Sequence, residues 1–156
     1  MSEQPRQQRG GAPVGFMDEL SGIEAGAVVC LRRWFDGPEA RAGVRADFAR
    51  MLGTGHGSAA ASALEDICTL CARFGRRPLM RHHATCRCLG ADEACFANFI
   101  ALAADGDRED AMLVATLLVR ADIAPCLVTL AESLGLALRR LDRTPSVPEP
   151  ASDTIH

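Results

Sequence analysis

The chain has no lysine and no tyrosine, and only 4% of its residues are aromatic. Its core must therefore be built from the Ala, Leu and Val that dominate the apolar fraction, which points to closely packed helices with small side chains. All seventeen basic side chains are arginine. Beside the abundant Ala, Gly and Pro, this bias looks like GC-rich coding and carries little functional weight. A basic excess is missing as well. The formal net charge is −3, whereas a nucleic-acid footprint spread over a whole protein needs a positive balance or stripe.

Long hydrophobic runs are also lacking. The longest apolar stretch, Ala111 to Val119, falls far short of the ~20 residues a membrane helix requires. Met1 to Gly15 contains no apolar segment of signal-peptide length, so a cytoplasmic location without membrane contact is expected. Catalytic signatures are absent: there is no His-Glu-x-x-His, no Gly-x-Ser-x-Gly, no deaminase-type His-x-Glu with Pro-Cys-x-x-Cys and no dinucleotide loop. An enzyme is therefore the least favoured class. In a reducing compartment seven cysteines, an odd number, read as thiols or metal ligands and not as a disulfide framework.

What is present is helical periodicity. At 156 residues the chain is long enough to bury a core without staples. Apolar positions recurring every three or four residues predict about six helices: Phe16 to Trp34, Pro38 to Leu52, Ser58 to Phe74, then one each capped by Asp92, Asp107 and Asp122. Gly22 and Gly26, a turn apart, would let another helix approach closely. Gly53-Thr54-Gly55-His56-Gly57 reads as a flexible turn, because no strand precedes it and no Lys-Ser/Thr follows. The fifth helix is apolar nearly all round, through Met112, Leu113, Val114, Leu117 and Leu118, and is expected at the centre of the bundle. No repeat, heptad or strand alternation is visible. The expected fold is all-α: an irregular single-domain bundle over residues 16–143, with disordered tails at 1–15 and 144–156.

One segment departs from this pattern. Residues 79–95 hold His82, His83, Cys86, Cys88 and Cys95, and soft nitrogen and sulfur donors at such short spacing suit a tetrahedral Zn²⁺. His83, Cys86 and Cys88 would supply three ligands and His82 or Cys95 the fourth. Cys68 and Cys71 would complete a looser zinc-like outline with Cys86 and Cys88, but they, like Cys30 and Cys126, fall on or beside apolar stripes and read better as buried small hydrophobes. Cys95, three positions after a cap at Asp92, would have its thiolate favoured by the helix dipole, with Cys86 or Cys88 able to resolve it.

Arg73, Arg76, Arg77, Arg81 and Arg87 fall in a segment without acids. Such a patch can engage phosphate or an acidic partner, although arginines near a helix end also simply solvate the surface, and the acidic stretch Asp105 to Asp110 could absorb some of the charge. The leading expectation is a small cytosolic binding or regulatory module with a structural zinc. A protein or phosphate-containing partner would sit at the arginine face, with nucleic acid or a second copy of the chain as lesser partners. A thiol-based redox or metal sensor comes second. A metal-dependent enzyme with Asp92 or Glu93 as its base comes third.

Overall fold

A computed structural model describes residues 6–143, with side chains from Arg9 onward. Six helices dominate: α1 (Gly22–Trp34), α2 (Pro38–Leu52), α3 (Thr54–Phe74), α4 (Ala91–Ala104), α5 (Arg108–Leu118) and α6 (Ala124–Arg143). A two-stranded antiparallel sheet joins β1 (Pro13–Phe16) to β2 (Cys88–Gly90), pairing Phe16 with Cys88 and Gly15 with Leu89. The all-α class stands, with this small sheet added. No described helix is long and apolar enough to cross a membrane.

Several boundaries differ from the sequence expectation, each for a local reason. The first helix does not begin at Phe16, which lies in β1 and is followed by a 3₁₀ turn at Met17–Glu19. It begins after Ser21, whose hydroxyl accepts the Glu24 N–H while Glu24 accepts the Ser21 N–H, so that each meets an orphan donor of the other. The expected tail up to Gly15 is, from Arg6 onward, a 3₁₀ segment (Arg6–Gly11) followed by β1. Residues 1–5 and the expected tail at 144–156 lie outside the described residues.

The glycine-rich stretch at 53–57 is not a flexible turn. Only Gly53 takes a positive φ, of 85°, and α3 starts immediately after it with His56 exposed on its first turn. Gly57 is buried where α3 crosses α2, and a Cβ there would lie 2.6 Å from the Phe48 carbonyl oxygen. The glycine therefore serves the helix crossing. Gly22 and Gly26 do receive a neighbour, Asp142 and Leu138 of α6.

The centre of the bundle is α4, not α5. Phe96, Phe99 and Ile100 of α4 have no solvent exposure and pack in one core with Leu31, Leu64, Ile67, Leu127 and Leu134. On α5 only Ala111, Ala115 and Leu118 are buried, and Leu113 and Leu117 are 67% and 68% exposed. An all-round apolar pattern can mark a short peripheral helix that leaves leucines in water, because apolar surface is not confined to interiors. α6 presents a buried apolar stripe to this core, with Leu127, Leu134 and Leu138 buried. A second small cluster, Val28, Leu89 and Ala97 with Met17 and Leu20 against it, seats the sheet on α1 and α4.

Candidate functional site

The loop from Arg77 to Gly90 is held to the bundle by two neighbouring carboxylates at the start of α4. Glu93 has no solvent exposure and Arg32 is 4% exposed. The two form a bidentate pair, Arg32 Nε to Glu93 Oε2 at 2.5 Å and Arg32 Nη2 to Glu93 Oε1 at 2.9 Å. The remaining valences are used on backbone: Arg32 donates to the Cys86 and Cys88 carbonyls, each at 2.8 Å. Glu93 accepts the Gly90 N–H at 3.0 Å and the His82 N–H at 3.3 Å. Each nitrogen of Arg32 and each oxygen of Glu93 thereby has a partner, the condition under which a buried pair is tolerated.

Burial alone would push the Glu93 carboxyl up, but the Arg32 hydrogen bond, the Gly90 and His82 N–H groups and the Arg32 charge together hold it below the usual carboxylate range. Arg32 is raised in turn, first by its hydrogen bond to Glu93, against the opposing effect of burial. Asp92 forms the second tie. It accepts both terminal nitrogens of Arg77 and the Met80 N–H, the last at 2.7 Å.

These contacts correct the reading of Asp92 as a helix cap. The N-cap is Gly90, Glu93 takes its N–H, and Asp92 is turned onto Arg77 and Met80 instead. Asp122 is likewise not a cap but an ion-pair partner of Arg120, at 2.6 Å. Asp107 does occupy the N-cap of α5, though its side chain makes no capping hydrogen bond. Cys95 consequently lies beyond the first turn of α4, where burial and then the Asp92 carboxylate raise its thiol. A thiolate favoured by the helix dipole is not what this position provides.

The five metal-donor candidates are not gathered together. His82 and Cys86 touch, Nδ1 to Sγ at 3.7 Å. His83 is exposed and bonded to Thr85 Oγ1, Cys88 lies in β2 and Cys95 is on α4. Among the described residues no group of three His, Cys, Asp or Glu side chains is placed to share an ion. Arg32, Glu93, Arg77 and Asp92 tie this loop to the bundle. Cys30, Cys68 and Cys71 are buried in the main core, where burial pushes Cys30 and Cys71 up to about 12 and raises Cys68 as well.

The arginine patch divides. Arg77 is committed to Asp92. Arg81 stacks on Phe35, with its guanidinium carbon 4.2 Å from the ring centroid, Arg73 lies over Phe74 and Arg76 donates to the Thr116 carbonyl. Among the described residues Arg73, Arg76, Arg81 and Arg87 have no carboxylate partner, while Arg33, Arg45, Arg50, Arg108, Arg120 and Arg139 each have one. The acidic stretch after α4 does not absorb the patch, since Asp105 pairs with Arg139. Arg77 and Arg81 share the rim of a cleft of about 230 Å³ floored by Phe35, Ala72, Pro78 and Leu79. Arg87 lines a different hollow, with Phe16, Met17 and Asp18.

Fold and loop together define an all-α protein whose central loop is clamped by two arginine–carboxylate ties. Compared with known families, curated proteins and solved structures, the chain matches none.

Proposed function

We propose that the chain is a binding module that takes a phosphate-bearing ligand at the face formed by the end of α3 and the segment that follows it. The observation that carries this reading is Arg81 on the rim of an apolar cleft, with Arg73 and Arg76 a few positions before it at the end of α3 and just after, three guanidinia that have no carboxylate partner among the described residues. Guanidinium forks match phosphate oxygens two at a time. Stacking on Phe35 and Phe74 restricts Arg81 and Arg73 before any ligand arrives, so less conformational freedom is lost on binding. Arg77 belongs to this face as a support, because its charge is spent on Asp92.

The test is binding of a labelled single-stranded oligonucleotide, used as a phosphate probe, over a series of salt concentrations. Affinity should fall linearly in log salt, and replacing Arg73, Arg76 and Arg81 together by Gln should flatten the slope by roughly 2, from about 0.7 per phosphate contact. The far-ultraviolet circular dichroism of that variant should match the parent. No binding at low salt, or a slope indifferent to the triple change, overturns the reading.

A further inference from the structure

The contact between His82 and Cys86 is not used by the arginine face, and its geometry is specific. His82 Nε2 lies 2.8 Å from the Gly11 carbonyl oxygen, which can only accept, so Nε2 carries the ring proton. In the neutral imidazole Nδ1 is then the bare nitrogen, and it faces Cys86 Sγ at 3.7 Å as acceptor of the thiol proton. The ring is held from several sides. Gly11 fixes one nitrogen, the His82 N–H is taken by Glu93, and Gly90 leaves the space the ring fills, since a Cβ there would be 2.9 Å from His82 Cδ2. A nucleophile, a base and a third group that orients the base form the arrangement that activates a thiol. Arg32, its charge matched by Glu93, fixes the backbone beneath the dyad through its bonds to the Cys86 and Cys88 carbonyls.

We propose that Cys86 and His82 form a thiol–imidazole dyad in which the Cys86 sulfur is the hydroperoxide-reactive nucleophile of this protein. The sulfur attacks the distal oxygen of the hydroperoxide; an S–O bond forms and the O–O bond breaks. The thiol proton passes to His82 Nδ1 and from there to the departing oxygen, which leaves as water or an alcohol. Sulfur is oxidised by two electrons to the sulfenic acid, and the peroxide is reduced by the same two.

Cys126 supplies the internal control, because it is exposed whereas Cys86 is half-buried. The full chain is treated with limiting hydrogen peroxide under anaerobic conditions, and the loss of each free thiol is followed by differential alkylation and peptide mass spectrometry. Cys86 should be lost at least tenfold faster than Cys126, an order that access alone would reverse. His82→Gln keeps a hydrogen-bonding amide but no base, and should bring Cys86 down to the Cys126 rate while Cys88, two residues on, is unchanged. The proposal fails if Cys86 in the parent reacts no faster than Cys126, a comparison that needs no variant. It also fails if His82→Gln moves Cys86 and Cys88 together, since the histidine then merely shapes the loop. A third failure is a Cys86 silent until a chelator is added, because a bound metal would then hold the sulfur.

Discussion

Arg32 and Glu93 show why a buried charge pair cannot always be exchanged for hydrocarbon. In a simple pair, two apolar residues of similar volume often do as well, because desolvation cancels the attraction. Here the pair also serves four backbone groups, at His82, Cys86, Cys88 and Gly90. Arg32→Met should cost about 3 to 5 kcal/mol by leaving Glu93 buried and unpaired. The double variant Arg32→Met with Glu93→Leu should not recover to parental stability, since each orphaned backbone group carries a penalty of about 1 to 3 kcal/mol. Urea unfolding of the two variants measures both, and full recovery in the double variant would show that the backbone bonds contribute nothing. The pair was hard to read from sequence because its members are 61 positions apart and Arg32 falls on an otherwise apolar helix face. Asp92 and Glu93 were visible as acids near the loop, but nothing in their spacing named Arg77 and Arg32 as partners.

At the scale of elements, periodicity located the helices well, and local chemistry decided their ends. Pro38 started α2 as read, and Ser21-Gly22-Ile23-Glu24 held the signal for the start of α1, which the preceding apolar residues Phe16 and Leu20 concealed. Tertiary approach is what the sequence could not display. Gly57 lies in a run that resembles a linker and is a helix contact, and α5 resembles a central helix and lies at the edge. Two substitutions separate these readings by chemical denaturation. Leu117→Ala should change stability by no more than about 0.5 kcal/mol, as an exposed site does, whereas Phe99→Ala should cost about 3 to 5 kcal/mol. Gly57→Ala sets two effects against each other. Alanine is the better helix former by about 1 kcal/mol, but its methyl must displace the backbone of α2, at a cost of about 1 to 3 kcal/mol. The close contact is with backbone, not with the end of a side chain, so a net loss is expected. A gain would mean that α2 and α3 separate easily.

For the whole molecule, the missing lysine and tyrosine make the pH dependence of stability unusually easy to interpret. On the acid side Glu93 has a folded pKa below its unfolded value. Its contribution is complete above the ordinary carboxyl range of about 4.3 and is lost as pH falls through the folded value. On the alkaline side, lysine and tyrosine would normally titrate together with cysteine and blur the result; here neither exists. Cys30 and Cys71 are raised from 9.0 to about 12, with Cys68 raised in the same direction. A raised thiol favours the fold fully below the unfolded value, and that contribution declines between the unfolded and folded values because only the unfolded chain can ionise. Stability should therefore hold level through neutrality and fall above about pH 9. Each of these thiols removes at most about 1.4 kcal/mol per pH unit. Urea midpoints recorded from pH 7 to 11 under reducing conditions would trace that limb. Replacing Cys30 or Cys71 by Ala should lower stability at neutral pH through lost packing and make the alkaline fall shallower. An unchanged slope in both variants would place the alkaline weakness elsewhere in the molecule.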